Sequence, residues 1–441
     1  MKSISLAVEE ATPHGIAAAV ARLITSGDLA PGDRLPTVRE LASDLGVSPA
    51  TVSHAWQALS GVGLIVSRGR SGSFVRESPR KWLPPRYQGL AGQLEATRLD
   101  LSTGTPDPEL LPALGPAFSR VSGRAGTVSY LDQPVIPELD AALRASWPYE
   151  VEAMTVVDGA LDALSRALEI VVRFGDRVVV EDPGFPPIYD LLEHFGAVRI
   201  PVGVDEEGMR PDLLEEALIQ RPTTIILQPR AQNPTGRSLT VERSRQLAEV
   251  IRRSRHASEA IVLEDDHSGA ISSMPDVSLG TWIPEQVLHI RSFSKSHGPD
   301  LRIAAIGGPT EIIDQLVARR ILGPGWTSRM LQVMLYDLLT DATSVSQISD
   351  ARRIYRTRQL HLSQALGRQG VALPPADGIN TWLPVADERA AIVQLAATGI
   401  RVAAGTPFQA SSSGAFVRVT AGMVRDDVDG VAENLAAASR A

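Results

Sequence analysis

Residues 29–75, LAPGDRLPTVRELASDLGVSPATVSHAWQALSGVGLIVSRGRSGSFV, carry several local structure signals in close succession. Thr37 followed by Glu40 is a T-x-x-E capping box, which predicts a helix start, and Val38, Leu41, Ala42 and Leu45 recur behind it at helical spacing. Gly46 supplies the stop. Ser48 caps a further helix with Pro49 at its first position, where a missing N–H costs nothing, and Val52, Ala55, Trp56 and Leu59 form its apolar stripe. The runs Leu64–Arg68 and Ser73–Arg76 flank Gly69-Arg70-Ser71-Gly72 and read as two strands joined by a glycine turn.

Upstream, Ile16, Val20, Leu23 and Ile24 predict a short amphipathic helix from Gly15 to about Thr25, broken by GDLAPGD. Helix, tight turn, helix and hairpin together describe a winged helix-turn-helix over residues 1–78. In such a unit a recognition helix enters the major groove with polar side chains near its start, held from behind by apolar ones. Ser48, Thr51, Ser53, His54 and Gln57 suit the reading face, and Arg39, Arg68, Arg70 and Arg76 suit phosphate or minor-groove contact. A blander reading stands beside it, because many small three-helix units with a hairpin share these signals.

The net charge of −8 argues against a protein that coats nucleic acid along its whole length. Residues 1–80 carry a net +1 and the remainder −9, so the N-terminal part is the only plausible DNA face. With no cysteine there is neither a disulfide nor a thiolate metal site, no other metal site is indicated, and a reducing compartment fits. The start MKSISLAVEE bears two glutamates where a signal peptide would be basic, and no apolar run reaches the roughly 18 residues needed to span a bilayer. A cytoplasmic protein without a membrane partner is expected.

Residues 79–98 lose apolar periodicity and gain Pro, Gly, Arg and Gln, as a linker does. From about Leu99 to residue 441, apolar runs such as DRVVVE, TTIILQP, AIVLEDD and VLHIRSFS alternate with helical stretches, which predicts a mainly parallel α/β sheet covered on both faces. A smaller lobe is expected from about Glu311.

Several polar residues of this second part follow predicted strands, where ligands of α/β sheets bind. Asp265 ends AIVLED, Asn233 follows TTIILQP in Asn233-Pro234-Thr235-Gly236, and Ser292-Phe293-Ser294-Lys295 follows VLHI, with Arg302 seven residues later. Gly159, Ala160 and Leu161 open a helix whose first N–H groups can take an anion, and Phe185 in Asp182-Pro183-Gly184-Phe185 can stack on a ring. Singly, each has an ordinary explanation: a turn, a helix cap, a solvated lysine. Jointly they supply what pyridoxal phosphate (PLP) needs, namely a lysine for the imine, an acid for the ring nitrogen, a donor to the phenolic oxygen and a phosphate cluster.

The stretch 29–75 resembles the winged helix-turn-helix of the GntR family, through Pro31-Gly32, Leu35-Pro36, Arg39-Glu40-Leu41-Ala42, Leu45-Gly46-Val47-Ser48, Thr51-Val52 and Gly63-Leu64-Ile65. Pro49 stands where a basic residue is frequent, and Trp56 where tyrosine is usual. Residues 99 to about 436 resemble class I/II aminotransferases, which implies the aspartate aminotransferase fold with large and small lobes. Under that resemblance Lys295 is the covalent and catalytic lysine, Asp265 the ring-nitrogen partner and Asn233 the phenolate donor. Ser292, Ser294 and Arg302 become phosphate ligands, and Phe185 the stacking ring. Tyr130 would reach the phosphate of a neighbouring subunit, implying a homodimer, and Arg418 would take a substrate or effector carboxylate. The two resemblances in one chain look like the MocR subfamily of regulators. Two departures bear on chemistry: His267 replaces the usual tyrosine beside the cofactor oxygen, and Leu161 replaces a polar phosphate contact.

The expectation is a PLP-dependent regulator that binds a double-stranded DNA operator and senses PLP or a small amino compound. The alternatives are a working aminotransferase with an appended DNA-binding head, which the same pocket would serve, and an α/β domain that has lost PLP.

Overall fold

The structure is a computed structural model that describes residues 2–8, 11–26, 28–61, 65–67, 72–76, 84–86, 97–121, 129, 131–411 and 413–440. The chain divides into two units, Met1–Pro84 and Pro85–Ala441.

In the first unit the helices Val38–Leu45 and Pro49–Gly61 form where the caps require. Thr37 Oγ1 accepts from the Glu40 N–H at 3.2 Å while Glu40 Oε2 accepts from the Thr37 N–H at 2.7 Å, and Gly46 adopts the left-handed φ of +67° that glycine reaches without strain. Val52, Ala55, Trp56 and Leu59 are buried against Ile16 and Val20 of the helix Pro13–Ser26. A further helix, Lys2–Ala7, precedes these and buries Ile4 in the same core; its short length left no periodic signal. Strands β1 (Ile65–Ser67) and β2 (Ser73–Val75) pair antiparallel with Ile65 opposite Val75. The expected turn between them, with Arg68 and Arg70, lies outside the described residues.

Among the described residues, the second unit holds two sheets. A four-stranded one contains β3 (Leu99–Leu101), and an eight-stranded one contains β4 (Ala153–Val157), β5 (Arg177–Asp182), β6 (Val198–Asp205), β7 (Gly208–Met209), β8 (Thr224–Leu227), β9 (Ile261–Asp266), β10 (Val287–Ser292) and β11 (Ala304–Gly308), in the order 4-11-10-9-8-5-6-7. The neighbours 6-5-8-9-10 run parallel and β11 runs against them. Successive residues point to opposite faces, so Val262 enters one apolar core and Leu263 the other. The parallel strands end together at Asp182, Leu227, Asp266 and Ser292, and the loops that follow converge on one site.

The smaller sheet completes itself with β12 (Thr381–Val385), β13 (Ile400–Ala404) and β14 (Ala415–Val419), in the order 12-14-13-3. The expected start of the smaller lobe near Glu311 therefore needs correction. The helix Thr310–Ile321 buries Ile313 and Leu316 in the core of the large sheet, while the small sheet recruits β3 from the opposite end of the unit, with Leu99 opposite Ile400. Most of the expected linker 79–98 lies outside the described residues. Its Arg86, however, is bound to the helix Pro186–His194, donating from Nη1 to Asp190 at 2.6 Å and from Nη2 to Glu193 at 2.5 Å. No helix among the described residues is long and apolar enough to cross a membrane.

Candidate functional site

One cavity of about 370 Å³ in the second unit is lined by Ala160, Leu161, Phe185, Asn233, Asp265, His267, Ser292, Ser294, Lys295, Arg302 and Arg418. These side chains come from six separated segments, brought together at the carboxyl ends of the parallel strands. Gly159 sits behind them as the N-cap of the helix Ala160–Val171. Tyr130 lies outside the described residues.

Asp265 is 1% exposed, and burial pushes its carboxyl up to about 6. Its Oδ2 accepts from Gln228 Nε2 at 2.7 Å, while Oδ1 has no hydrogen-bond partner among the described residues. A buried carboxylate oxygen left without a donor is costly, and a protonated ring nitrogen would satisfy it. Lys295 faces the same cavity, with Nζ donating to the Gly104 carbonyl at 2.5 Å. Burial, and after it the charge of Arg418, lowers its ammonium to about 8, so about a tenth of the amine is neutral and nucleophilic at pH 7, far more than for an ordinary lysine.

Opposite, Arg302 is held at a left-handed φ of +47° and donates from Nη2 to the Asp158 carbonyl at 3.1 Å. Gly159 has a φ of +106°, and a Cβ there would stand 2.6 Å from that same nitrogen. The glycine thus lets the guanidinium lie against the start of a helix whose first N–H groups have no acceptor within the helix. With the Ser292 and Ser294 hydroxyls on the same cavity, this donor set fits a phosphate. The residues present therefore suit each end of a PLP-like group.

Arg418 is 2% exposed, donates to the Ser102 carbonyl and, from Nη1, to Asn233 Oδ1 at 3.4 Å; its guanidinium lies 5.1 Å over the Phe408 ring. Burial lowers it to about 10, and among the described residues its Nε lacks a partner. A carboxylate would supply the missing acceptor and charge. Binding its Oδ1 to Arg418 leaves the Asn233 amide nitrogen as donor for another oxygen.

His267 lies 2.9 Å from the Ala231 carbonyl through Nε2 and 3.4 Å from Ser268 Oγ through Nδ1. A carbonyl only accepts, so Nε2 carries the hydrogen. Burial, then the charge of Lys295, lowers this imidazole to about 4 and keeps it neutral. In this arrangement its one N–H is already engaged.

Gln228 was not evident from the sequence. Besides donating to Asp265, its Oε1 accepts from the Asn233 backbone N–H at 2.8 Å, so one side chain sets the ring-nitrogen acid and the phenolate donor together. Gly104 carries no local sequence signal either: it adopts a φ of +61°, and a Cβ there would stand 2.8 Å from Arg418 Nη1. Behind the site, Asp266, Asp276 and His289 offer ligand atoms within 4.8 Å of one another, but Arg230 Nη2 already bonds Asp266 at 2.5 Å and Asp276 at 3.2 Å, meeting their charge.

In the first unit, Ser48 Oγ accepts from the Thr51 N–H at 3.2 Å, starting the helix whose His54 and Gln57 are exposed and whose Thr51 and Ser53 are half-buried. Arg39 is exposed on the preceding helix. This is the polar outer face that a recognition helix presents.

Residues 13–75 match the bacterial regulatory proteins of the gntR family, and residues 96–435 match the aminotransferase class I and II family. The vitamin B6 salvage pathway transcriptional repressor PtsJ of Salmonella typhimurium is 37% identical over 95% of this chain and 96% of its own. The probable rhizopine catabolism regulatory protein MocR of Rhizobium meliloti is 28% identical over 85% of this chain and 79% of its own. Among solved structures, the α-aminoadipate aminotransferase LysN of Thermus thermophilus, complexed with N-(5'-phosphopyridoxyl)-L-leucine, superposes with a TM-score of 0.69 over 80% of this chain and 96% of its own, at 22% identity. Head, second domain and full-length relatives agree: the chain belongs to the MocR-type transcriptional regulators of the GntR family, with a second domain of the aspartate aminotransferase fold.

Proposed function

We propose that the second unit holds PLP through Lys295 and that the presence of PLP, or an amino compound engaging it, changes how the head binds an operator in double-stranded DNA. The observation that carries this reading is the partnerless Oδ1 of buried Asp265, on the same cavity as Lys295 and the Arg302–Gly159 cradle. PLP supplies an aldehyde that amines can bond and a ring that withdraws electrons. Asp265 would hold the ring-nitrogen proton, Asn233 would donate to the phenolic oxygen, and Phe185 would stack on the ring. Ser292, Ser294, Arg302 and the N–H groups of Gly159, Ala160 and Leu161 would take the phosphate. Arg418 would take an effector carboxylate. His267, its N–H engaged, would fill the space of a phenol without donating to the cofactor.

The name of PtsJ, a vitamin B6 salvage repressor, supports a B6 compound as signal. A cytoplasmic homodimer suits paired half-sites. The dimer is also favoured by the exposure of Leu131 and Ile321, which line one cavity at 94% and 60% exposed, since large apolar side chains seldom cluster in water without a partner. Arg39, Ser48, Thr51, Ser53, His54 and Gln57, with Arg68 and Arg70 of the wing, would make the DNA contacts.

Signalling requires that the ligand bind two states with different affinity. Operator binding by the full chain, located by footprinting upstream of neighbouring genes, should therefore shift on adding PLP. Efficient multiple turnover of an amino donor and keto acid, without specific DNA binding, would overturn the proposal.

Two further results are expected. Because Lys295 titrates near 8 rather than at its ordinary 10.5, cofactor-free protein should capture added PLP faster as pH rises to about 8 and level off above it, with about tenfold loss per pH unit well below. Stopped-flow absorbance checks this, and a rate still rising at pH 10 would contradict it. Gln228→Ala removes one hydrogen bond each from Asp265 and Asn233, so PLP retention should fall about tenfold, the equivalent of about 1.4 kcal/mol. The pH midpoint of the cofactor's visible band should move as well. A lowered thermal midpoint with an unmoved band would assign Gln228 to folding alone.

A further inference from the structure

A second cavity, of about 360 Å³, lies in the same unit and shares walls with the first. Three segments line both: Pro183 faces the second cavity and Phe185 the first, Thr235 the second and Asn233 the first, Phe416 the second and Arg418 the first. Its apolar wall is the pair Trp382 and Phe416, stacked with centroids 4.9 Å apart and planes 11° from parallel. Trp382 also meets Phe408 edge-on at 5.7 Å, and Phe408 is the ring under the Arg418 guanidinium.

The charges on this cavity are specific. Asp205 is neutralised by Arg243, whose Nη1 and Nη2 donate to its two oxygens at 2.8 and 2.9 Å. Arg237 and Glu206 line the same space, and among the described residues neither side chain has an ion-pair or hydrogen-bond partner. One open cation, one open anion and an aromatic shelf, in a volume within the usual 300–1,000 Å³ of ligand pockets, match a zwitterion with a flat ring. A phosphate dianion would face two carboxylates and lack the helix N-terminus of the first cavity, which separates the two sites chemically.

We propose that this second cavity binds an amino acid carrying an aromatic or heteroaromatic ring, with its carboxylate on Arg237, its ammonium on Glu206 and its ring against Trp382 and Phe416. Binding there does not require PLP. By ordering the three shared segments it would nevertheless alter affinity in the first cavity, and the coupling would be reciprocal.

The test is calorimetric titration of the full-length, PLP-loaded protein with L-phenylalanine, 3-phenylpropionate and L-norleucine, repeated on Lys295→Ala, Arg237→Ala and Glu206→Gln. The expected result is one L-phenylalanine bound per chain, retained in Lys295→Ala and weakened about tenfold or more by either of the other substitutions. 3-Phenylpropionate, which lacks the ammonium, and L-norleucine, which lacks the ring, should each bind at least about tenfold more weakly. The proposal fails if no saturable binding occurs, if Arg237→Ala and Glu206→Gln both leave it unchanged, or if binding vanishes in Lys295→Ala. That last result would place the ligand in the first cavity, leaving the PLP reading intact.

Discussion

Lys295→Ala should abolish the visible absorption of the PLP-loaded protein and weaken PLP retention by at least about 100-fold, close to 3 kcal/mol. Among the described residues the lysine is the one amine on the cavity of about 370 Å³, and burial together with the charge of Arg418 gives it a neutral fraction that can bond an aldehyde. Its single hydrogen bond among the described residues, to the Gly104 carbonyl, is replaceable by water in a half-buried site, so the fold should survive. Absorbance after dialysis and a thermal melt give the two readings. A visible band that persists would remove Lys295 from the site, whereas a colourless parent protein would remove PLP altogether.

Trp56→Ala should destroy operator binding while leaving the visible band of the second unit unchanged. Trp56 is 7% exposed and packs in a core with Ile16, Val20, Leu41, Val52, Leu59 and Ile65. Truncating a buried aromatic of this size costs about 3–5 kcal/mol, and a unit of this length holds little more than about 5 kcal/mol in all. The head should unfold, whereas the second unit has apolar cores of its own. Circular dichroism, electrophoretic mobility shift and absorbance on one sample decide it. Intact DNA binding would contradict the part given to Trp56 in the head's core, and loss of the cofactor band together with the head would contradict the independence of the two units.

The contrast between these two residues reflects how each site is written along the chain. The head is built from neighbours: Thr37 caps onto Glu40, Gly46 ends its helix, and Val52, Ala55, Trp56 and Leu59 share one helical face. Such signals act within four residues and are legible one at a time. The residues that suit PLP are legible for a different reason. Asp265 lies next to the end of one apolar strand, Ser292 ends another, Asn233 follows a third, and a parallel sheet gathers such ends on one edge.

Sequence alone therefore determined the two-part architecture, the recognition helix and the identity of the residues that suit PLP, because caps, periodicity and strand ends are local properties. Only the tertiary structure decided that Gln228 joins Asp265 to Asn233, that the His267 N–H is turned to Ala231, and that β3 completes a sheet with a strand some 300 residues away in the chain. The physical reason is that hydrogen bonding and burial between distant segments depend on where packing places them, and neither composition nor spacing encodes that placement.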